Sequence, residues 1–270
     1  MKAGILYAKN DIRIGKWETP RAGEGEIVVK MRASGICGSD IPRVLGDEAK
    51  YYPIILGHEF AGEAVEIGGG VKNIHAGDRI SGAPLIPCMQ CADCARGHYS
   101  LCRQYSFIGS RVSGSFAEYV KLPAANAVKF SDEVPFELAA FFEPSTVALH
   151  GVRLADFQGG RDTAVVGGGT IGLFTMQWAK ILGAKSVTVF DISEPRLALA
   201  KKLGADFVVN TANGDSLPDQ RYDYVFETAG QPAAMLTSFE LAANRAHVCF
   251  IGTPHVPVTF TQKLWENMNR

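Results

Sequence analysis

VVGGGTIG, residues 165–172, places three glycines directly behind an apolar run and at the mouth of a segment with helical spacing. Gly167 permits a tight turn, Gly169 lets backbone approach a pyrophosphate, and Gly172 allows close packing of helix on strand. Thr170 and Ile171 complete the first helical turn, whose free amides face an anion. An acid at the end of the next strand completes the pattern. Asp191 stands there, nineteen positions after Gly172. Its carboxylate suits a ribose 2′-hydroxyl and repels a 2′-phosphate, so NAD is expected over NADP, with Arg196 beside it in the cofactor group. A glycine-rich turn that serves packing alone is the alternative.

Working outward, strands are expected at Thr163–Gly167, Ser186–Asp191, around Phe207 and Tyr224, and at His247–Ile251. Helices are expected at Thr170–Leu182, Glu194–Leu203 and Ala233–Ala243. That alternation implies an α/β domain with a doubly wound parallel sheet of the Rossmann type. Glu227–Gly230 and Gly252–Thr253 follow two later strands, at the carboxyl ends where such sheets bind ligands, although ordinary turn chemistry also explains them.

The preceding half reads differently. Apolar alternation in Met1–Tyr7, Glu26–Ile36 and Phe116–Val120, punctuated by glycine and proline, predicts short strands and a barrel-like domain. A helix is expected over Phe136–His150. The domain boundary falls near 150, giving a first domain of 1–150 and a second of 151–270.

With 270 residues, 47% of them apolar, the chain can bury more than one core. A formal charge of −1 with scattered Lys and Arg supplies no basic stripe, which argues against nucleic acid or anionic membrane as partner. No apolar run reaches membrane-spanning length and the N-terminus does not read as a signal peptide, so a cytoplasmic protein is expected.

Four of six cysteines crowd into Cys88, Cys91, Cys94 and Cys102, within PCMQCADCARGHYSLC. Four thiolates close a tetrahedral zinc shell with no open position, so such a site would hold a loop. An iron–sulfur cluster or two disulfides are the alternatives. Three further donors are dispersed: Cys37 in GICGSD, His58 and Glu59 in LGHEF, and Glu143 in FFEP. A thiolate, an imidazole and a carboxylate can hold zinc with one position vacant for a substrate oxygen. Taken alone, a Cys or His is more often a packed core residue, and Glu143 before Pro144 could simply start a helical turn.

The order GICGSD, GHEFAG, cysteine quartet and acid ahead of the nucleotide fold resembles the zinc-containing medium-chain alcohol and polyol dehydrogenases, over residues 1 to about 255. The resemblance implies a GroES-like β-barrel catalytic domain ahead of the Rossmann sheet. It implies Cys37, His58 and Glu143 as catalytic zinc ligands, the quartet as a structural zinc site, and Glu59 as a supporting or alternate ligand. Asp40 would orient His58 through its other ring nitrogen. The implied chemistry is NAD-dependent oxidation of a secondary alcohol on a polyol or polyol phosphate. The specific expectation is galactitol 1-phosphate to tagatose 6-phosphate, with sorbitol- or threonine-type substrates as the alternative.

Ser39 is placed to relay a proton outward, or is a turn hydroxyl. Many relatives carry a histidine after the Asp of this loop, whereas the chain reads Asp40-Ile41-Pro42-Arg43. Arg43 and Arg111, the latter in FIGSR, are candidates to grip a substrate phosphate, solvated surface arginines being the alternative. Relatives also continue past the region of Thr261 with a further strand, used for homo-oligomerisation, and then return to the catalytic domain. KLWENMNR, 263–270, shows no such continuation, so a C-terminally shortened chain is expected. A non-catalytic zinc- and nucleotide-binding remnant is the rival function, and a zinc-free reductase on the same fold a third.

Overall fold

A computed structural model describes residues 1–212, 217 and 219–262. It divides into two compact units, Met1–Glu143 and Pro144–Arg270. The terminal KLWENMNR lies outside the described residues.

The first unit is built from antiparallel β-structure. Strands β1 (Lys2–Ala8), β2 (Asp11–Lys16) and β4 (Ile54–Ile55) form one sheet in the order β2-β1-β4. A larger sheet runs β10-β6-β5-β3-β9, from β3 (Glu26–Gly35), β5 (Glu59–Ile67), β6 (Arg79–Gly82), β9 (Tyr119–Pro123) and β10 (Ala127–Lys129). Ile27, Val29, Phe60, Ile80, Val120 and Leu122 point into its core. Burial of each such side chain contributes about 1.5–3 kcal/mol. A hairpin of β7 (Leu85–Ile86) and β8 (Ser106–Phe107) closes the ends of the cysteine segment, which contains only the short helix α2 (Ala92–Ala95) and a 3₁₀ turn. Helix α1 (Asp40–Leu45) follows β3.

The expected strand Phe116–Val120 is two pairings. Phe116 accepts from Gly4 N at 2.7 Å and Ala117 bridges Ala3, whereas 119–123 pairs with β3. Its alternation therefore spans two sheets. The expected helix Phe136–His150 is likewise broken, into α3 (Phe136–Ala139) and α4 (Phe142–Leu154). Pro144 has no N–H to give to the carbonyl four residues back, so the helix cannot run through Ala140 and instead restarts with Pro144 in its first turn.

In the second unit, β11 (Asp162–Val166), β12 (Ser186–Asp191), β13 (Phe207–Asn210), β14 (Tyr222–Glu227) and β15 (Ala242–Phe250) make a fully parallel sheet in the order β13-β12-β11-β14-β15. This is the doubly wound arrangement expected from the glycine turn. Helices α5 (Thr170–Ile181), α6 (Glu194–Lys202) and α7 (Pro232–Leu241) connect the strands. Val165, Val187, Val189 and Phe226 are buried with Met176, Ala179 and Leu197, while Ala164, Val166, Phe190 and Val225 are buried with Leu241. Burial on both faces explains why these strands read as continuous apolar runs. β15 begins five residues earlier than expected, because Ala242 already pairs with Tyr222 before an irregularity in which Arg245 takes φ +65°. Among the described residues no helix is long and apolar enough to cross a membrane.

Candidate functional site

Strand pairing brings the dispersed donors of the first unit together. Gly35, the last residue of β3, lies opposite Glu59, the first of β5. The chain leaving β3 therefore carries Cys37 beside His58 on the chain entering β5. Ligand atoms of Cys37, His58 and Glu59 all lie within 4.8 Å of one another. His58 and Glu59 are buried and Cys37 half-buried. A Cβ on Gly35 would meet the Glu59 carboxylate, so a larger residue here would displace that side chain from the group.

Glu143 enters from the first turn of α4, behind α3, whose Ala139 packs with Ala61 of β5 and Ala33 of β3. Its ligand atoms are not in the three-residue group, but its carboxyl is pushed up to about 7 by burial and by the like charges of Glu59 and Asp40. Burial likewise raises the Cys37 thiol and, with Asp40 adding to it, the Glu59 carboxyl. His58 is held below its ordinary value by burial. Buried sulfur, nitrogen and carboxylate oxygen, crowded with further acids, are a donor set whose repulsion a divalent cation would relieve, and the types suit zinc.

Asp40 sits 2% exposed beneath the site. Its Oδ2 accepts from Cys37 N at 3.1 Å, and its Oδ1 lies 3.7 Å from His58 Nδ1, longer than a hydrogen bond. That ring nitrogen has no partner. Arg43 turns inward: Nη1 donates to Ser39 O at 2.9 Å and Ser39 Oγ at 2.8 Å, and stands 3.4 Å from Asp40 Oδ1. Arg111 is exposed; it stacks on the Tyr105 ring at 4.1 Å and donates to Tyr105 O at 3.1 Å.

The quartet forms a second group, Cys88, Cys91, Cys94 and Cys102, with sulfurs within 4.8 Å. All four are free thiols. Between 88 and 104 only Cys94 and Cys102 are buried, so this lobe has no apolar interior apart from its sulfurs. Backbone N–H groups of Gln90 and Cys91 pull the Cys88 thiol down to about 6, while burial drives Cys94 up to about 12. Thiols held this close cannot all ionise without a cation among them, which again fits zinc.

The second unit carries the glycine turn as expected. Gly167 has φ +105°, and a Cβ on Gly172 would strike the Gly167 carbonyl. Above Gly169 there is open space within 4 Å, at the N-terminus of α5, room that a backbone-bound pyrophosphate needs. Thr170 is exposed and Ile171 half-buried at that end. Asp191 Oδ2 accepts from Gly168 N at 2.6 Å and Oδ1 from Ser193 N at 2.8 Å, leaving lone pairs on each oxygen. The exposed Arg196 guanidinium is 3.7 Å away.

Two residues of the Glu227–Gly230 stretch, which the sequence places at a ligand-binding strand end without individual roles, take definite ones here. Thr228 Oγ1 donates to Gly167 O at 2.9 Å, pinning the turn from the neighbouring strand end. Glu227 is fully buried; its Oε1 accepts from Ala229 N and Gly230 N, both at 2.8 Å, and its main-chain carbonyl accepts from Ile251 N and Gly252 N. Burial raises its carboxyl, and Oε2 has no partner. The position of Glu227 at a strand's carboxyl end was the available signal.

Two family models match the chain: alcohol dehydrogenase GroES-like domain over residues 23–132 and zinc-binding dehydrogenase over 170–267. Galactitol 1-phosphate 5-dehydrogenase of Escherichia coli K12 is 42% identical over 269 residues, covering 97% of this chain and 78% of that protein. Among solved structures, galactitol-1-phosphate dehydrogenase from Escherichia coli matches with a TM-score of 0.94 at 38% identity, over 100% of this chain and 80% of that one. A protein from Sinorhizobium meliloti 1021 described as a zinc-binding dehydrogenase, bound to NADP, gives 0.93 at 33% identity, over 99% and 82%.

Proposed function

The chain belongs to the zinc-containing medium-chain alcohol and polyol dehydrogenases, and we propose that within that family it oxidises a secondary alcohol of a polyol phosphate, galactitol 1-phosphate, to tagatose 6-phosphate. It is an NAD-linked, zinc-dependent oxidoreductase with a GroES-like unit followed by a Rossmann unit. The observation that carries the reading is the convergence of Cys37, His58 and Glu59 within 4.8 Å, in one buried place, beside an acid-rich surround. Bound zinc supplies a Lewis acid that makes a hydroxyl easier to deprotonate, and NAD accepts the hydride.

Residue roles follow from this. Cys37 and His58 are the sulfur and nitrogen donors to the metal; the family pattern makes Glu143 the oxygen donor, with Glu59, which the geometry groups with the other two, as the alternate. Asp40 holds the Cys37 amide and stands 3.7 Å from His58 Nδ1, close enough to orient it once the metal draws the ring in, and Ser39 Oγ accepts from Arg43. That bond turns the Ser39 hydroxyl proton away from Arg43 and toward the Cys37 thiol, its other hydrogen-bond partner here. Arg43 is thus committed to its own loop, while Arg111, with guanidinium donors still facing solvent, is the better phosphate grip. The catalytic domain of this reading is 1–150 and the nucleotide domain 151–270. Six free thiols suit a reducing cytoplasm. A homo-oligomer belongs to the same reading.

The test is NADH formation with galactitol 1-phosphate, galactitol and sorbitol, before and after chelation. The phosphate ester is expected to lead by roughly 10-fold or more in kcat/KM, as one charge-assisted hydrogen-bond pair supplies, and Arg111→Ala to remove most of that lead. Absence of zinc-dependent turnover on every polyol and ester would overturn the reading in favour of a nucleotide-binding remnant.

Asp191 sets the cofactor preference. In Asp191→Ala the anion facing the ribose is gone while Arg196 stays. The NAD-to-NADP ratio of kcat/KM is then expected to fall about 100-fold, read from initial rates with each dinucleotide. An unchanged ratio would remove Asp191 from this role.

A further inference from the structure

The segment between the cysteine lobe and β9 folds back on the residue ahead of His58 more tightly than a connecting loop needs to. Gly57 takes φ +91°, and a Cβ there would come within 2.5 Å of the Phe116 ring and 2.7 Å of Ser115 Oγ. On its other side, a Cβ on Gly109, itself at φ +79°, would collide with the Gly57 carbonyl, as would one on Gly114. Three hydrogen bonds fasten the two segments: Gly114 N to Ile55 O at 2.8 Å, Ser115 N to Gly57 O at 3.0 Å and Phe116 N to Leu56 O at 3.0 Å. The turn is also closed on itself, since Ser110, Arg111 and Val112 all donate to Phe107 O at 2.9–3.2 Å. At its base the Phe107 ring meets the His58 imidazole edge-on, with centroids 5.5 Å apart.

His58 therefore lacks a close polar partner for Nδ1 yet is fixed from two sides, by a backbone with no freedom at Gly57 and by an aromatic face at its ring. We propose that the 107–116 turn is the device that aims His58 at the metal, with Phe107 and Gly109 as positioning residues for the catalytic zinc. The inference rests on His58 being a ligand of that zinc. Sterics of this kind act on ring orientation, and outer contacts that orient a ligating histidine typically change metal affinity about 10–100-fold. The same turn displays Arg111, whose carbonyl accepts from Tyr51 Oη at 2.8 Å, so one small element would serve both metal and substrate.

Four variants decide it, in the full chain loaded with zinc: Phe107→Leu, Gly109→Ala, His58→Ala and Gly77→Ala. Gly77 has φ +92° with no atom within 4 Å of an added Cβ, so it carries the same backbone penalty without the collision. Zinc per chain is measured by mass spectrometry, zinc affinity by competition with a chelator, and site geometry by the visible spectrum after cobalt substitution. Phe107→Leu and Gly109→Ala are expected to weaken the catalytic zinc 10–100-fold and alter the cobalt spectrum, with the quartet zinc and the thermal midpoint of Gly77→Ala as references. Should Gly109→Ala not fold, Phe107→Leu alone carries the test. Unchanged competition constants and spectrum in Phe107→Leu would overturn the proposal. If His58→Ala itself kept two zincs, the ligand assignment would be the part that failed.

Discussion

Cys37→Ala is expected to abolish turnover, with kcat/KM falling about 1,000-fold or more, while NAD binding stays within a factor of about two. The size follows from losing the Lewis acid, which supplies several kcal/mol of charge stabilisation, each 1.4 kcal/mol or so being tenfold in rate. Retention of NAD follows from construction, because the glycine turn, Asp191 and Thr228 are all supplied by the second unit and bond among themselves. Zinc should drop from two per chain to one. The measurements are initial rates, NAD titration by fluorescence quenching and metal content. Activity within tenfold of the parent would remove Cys37 from the chemistry.

Cys94→Ala attacks the other centre and should give the largest structural effect. The lobe from 88 to 104 buries nothing except Cys94 and Cys102, so a cation held by the quartet would be its interior. Structural zinc of this type is worth on the order of 10 kcal/mol to an otherwise coreless fold. Its loss is expected to leave the segment open, with cleavage there by a low protease concentration rising about 1,000-fold or more, while the flanking sheets stay protected. The hairpin Ile86–Ser106 marks where protection should resume. One zinc should remain. A resistant lobe in the variant, or iron or disulfide mass signatures in the parent, would refute a structural zinc.

The second unit was largely legible because its signals are local. Glycines at 167, 169 and 172, the following helix and Asp191 lie within one strand–helix–strand stretch, and the buried sheet writes itself as valine-rich runs. The quartet was legible for the same reason. Cys37, His58 and Glu143 were not, because only the Gly35–Glu59 pairing across two strands brings the first two together, and pairing partners are not visible in a single sequence; a family resemblance supplied them. The same blindness merged α3 with α4, where the absent N–H of Pro144 outweighed good helical spacing, and read one strand where Phe116 and Tyr119 belong to different sheets. Arg43 and Arg111 looked equivalent as charges. Only geometry separates an arginine folded against Ser39 from one lying over Tyr105.

Glu227 reaches two segments at once, 229–230 through its carboxylate and 251–252 through its carbonyl, while its neighbour Thr228 grips the Gly167 turn. The floor on which a dinucleotide would lie is therefore assembled beforehand, and little chain ordering is left for the moment of association. Cofactor exchange should then be limited by desolvation and diffusion of the nucleotide and not by refolding of its bed, so that occupancy follows the cell's supply of dinucleotide promptly in either redox state.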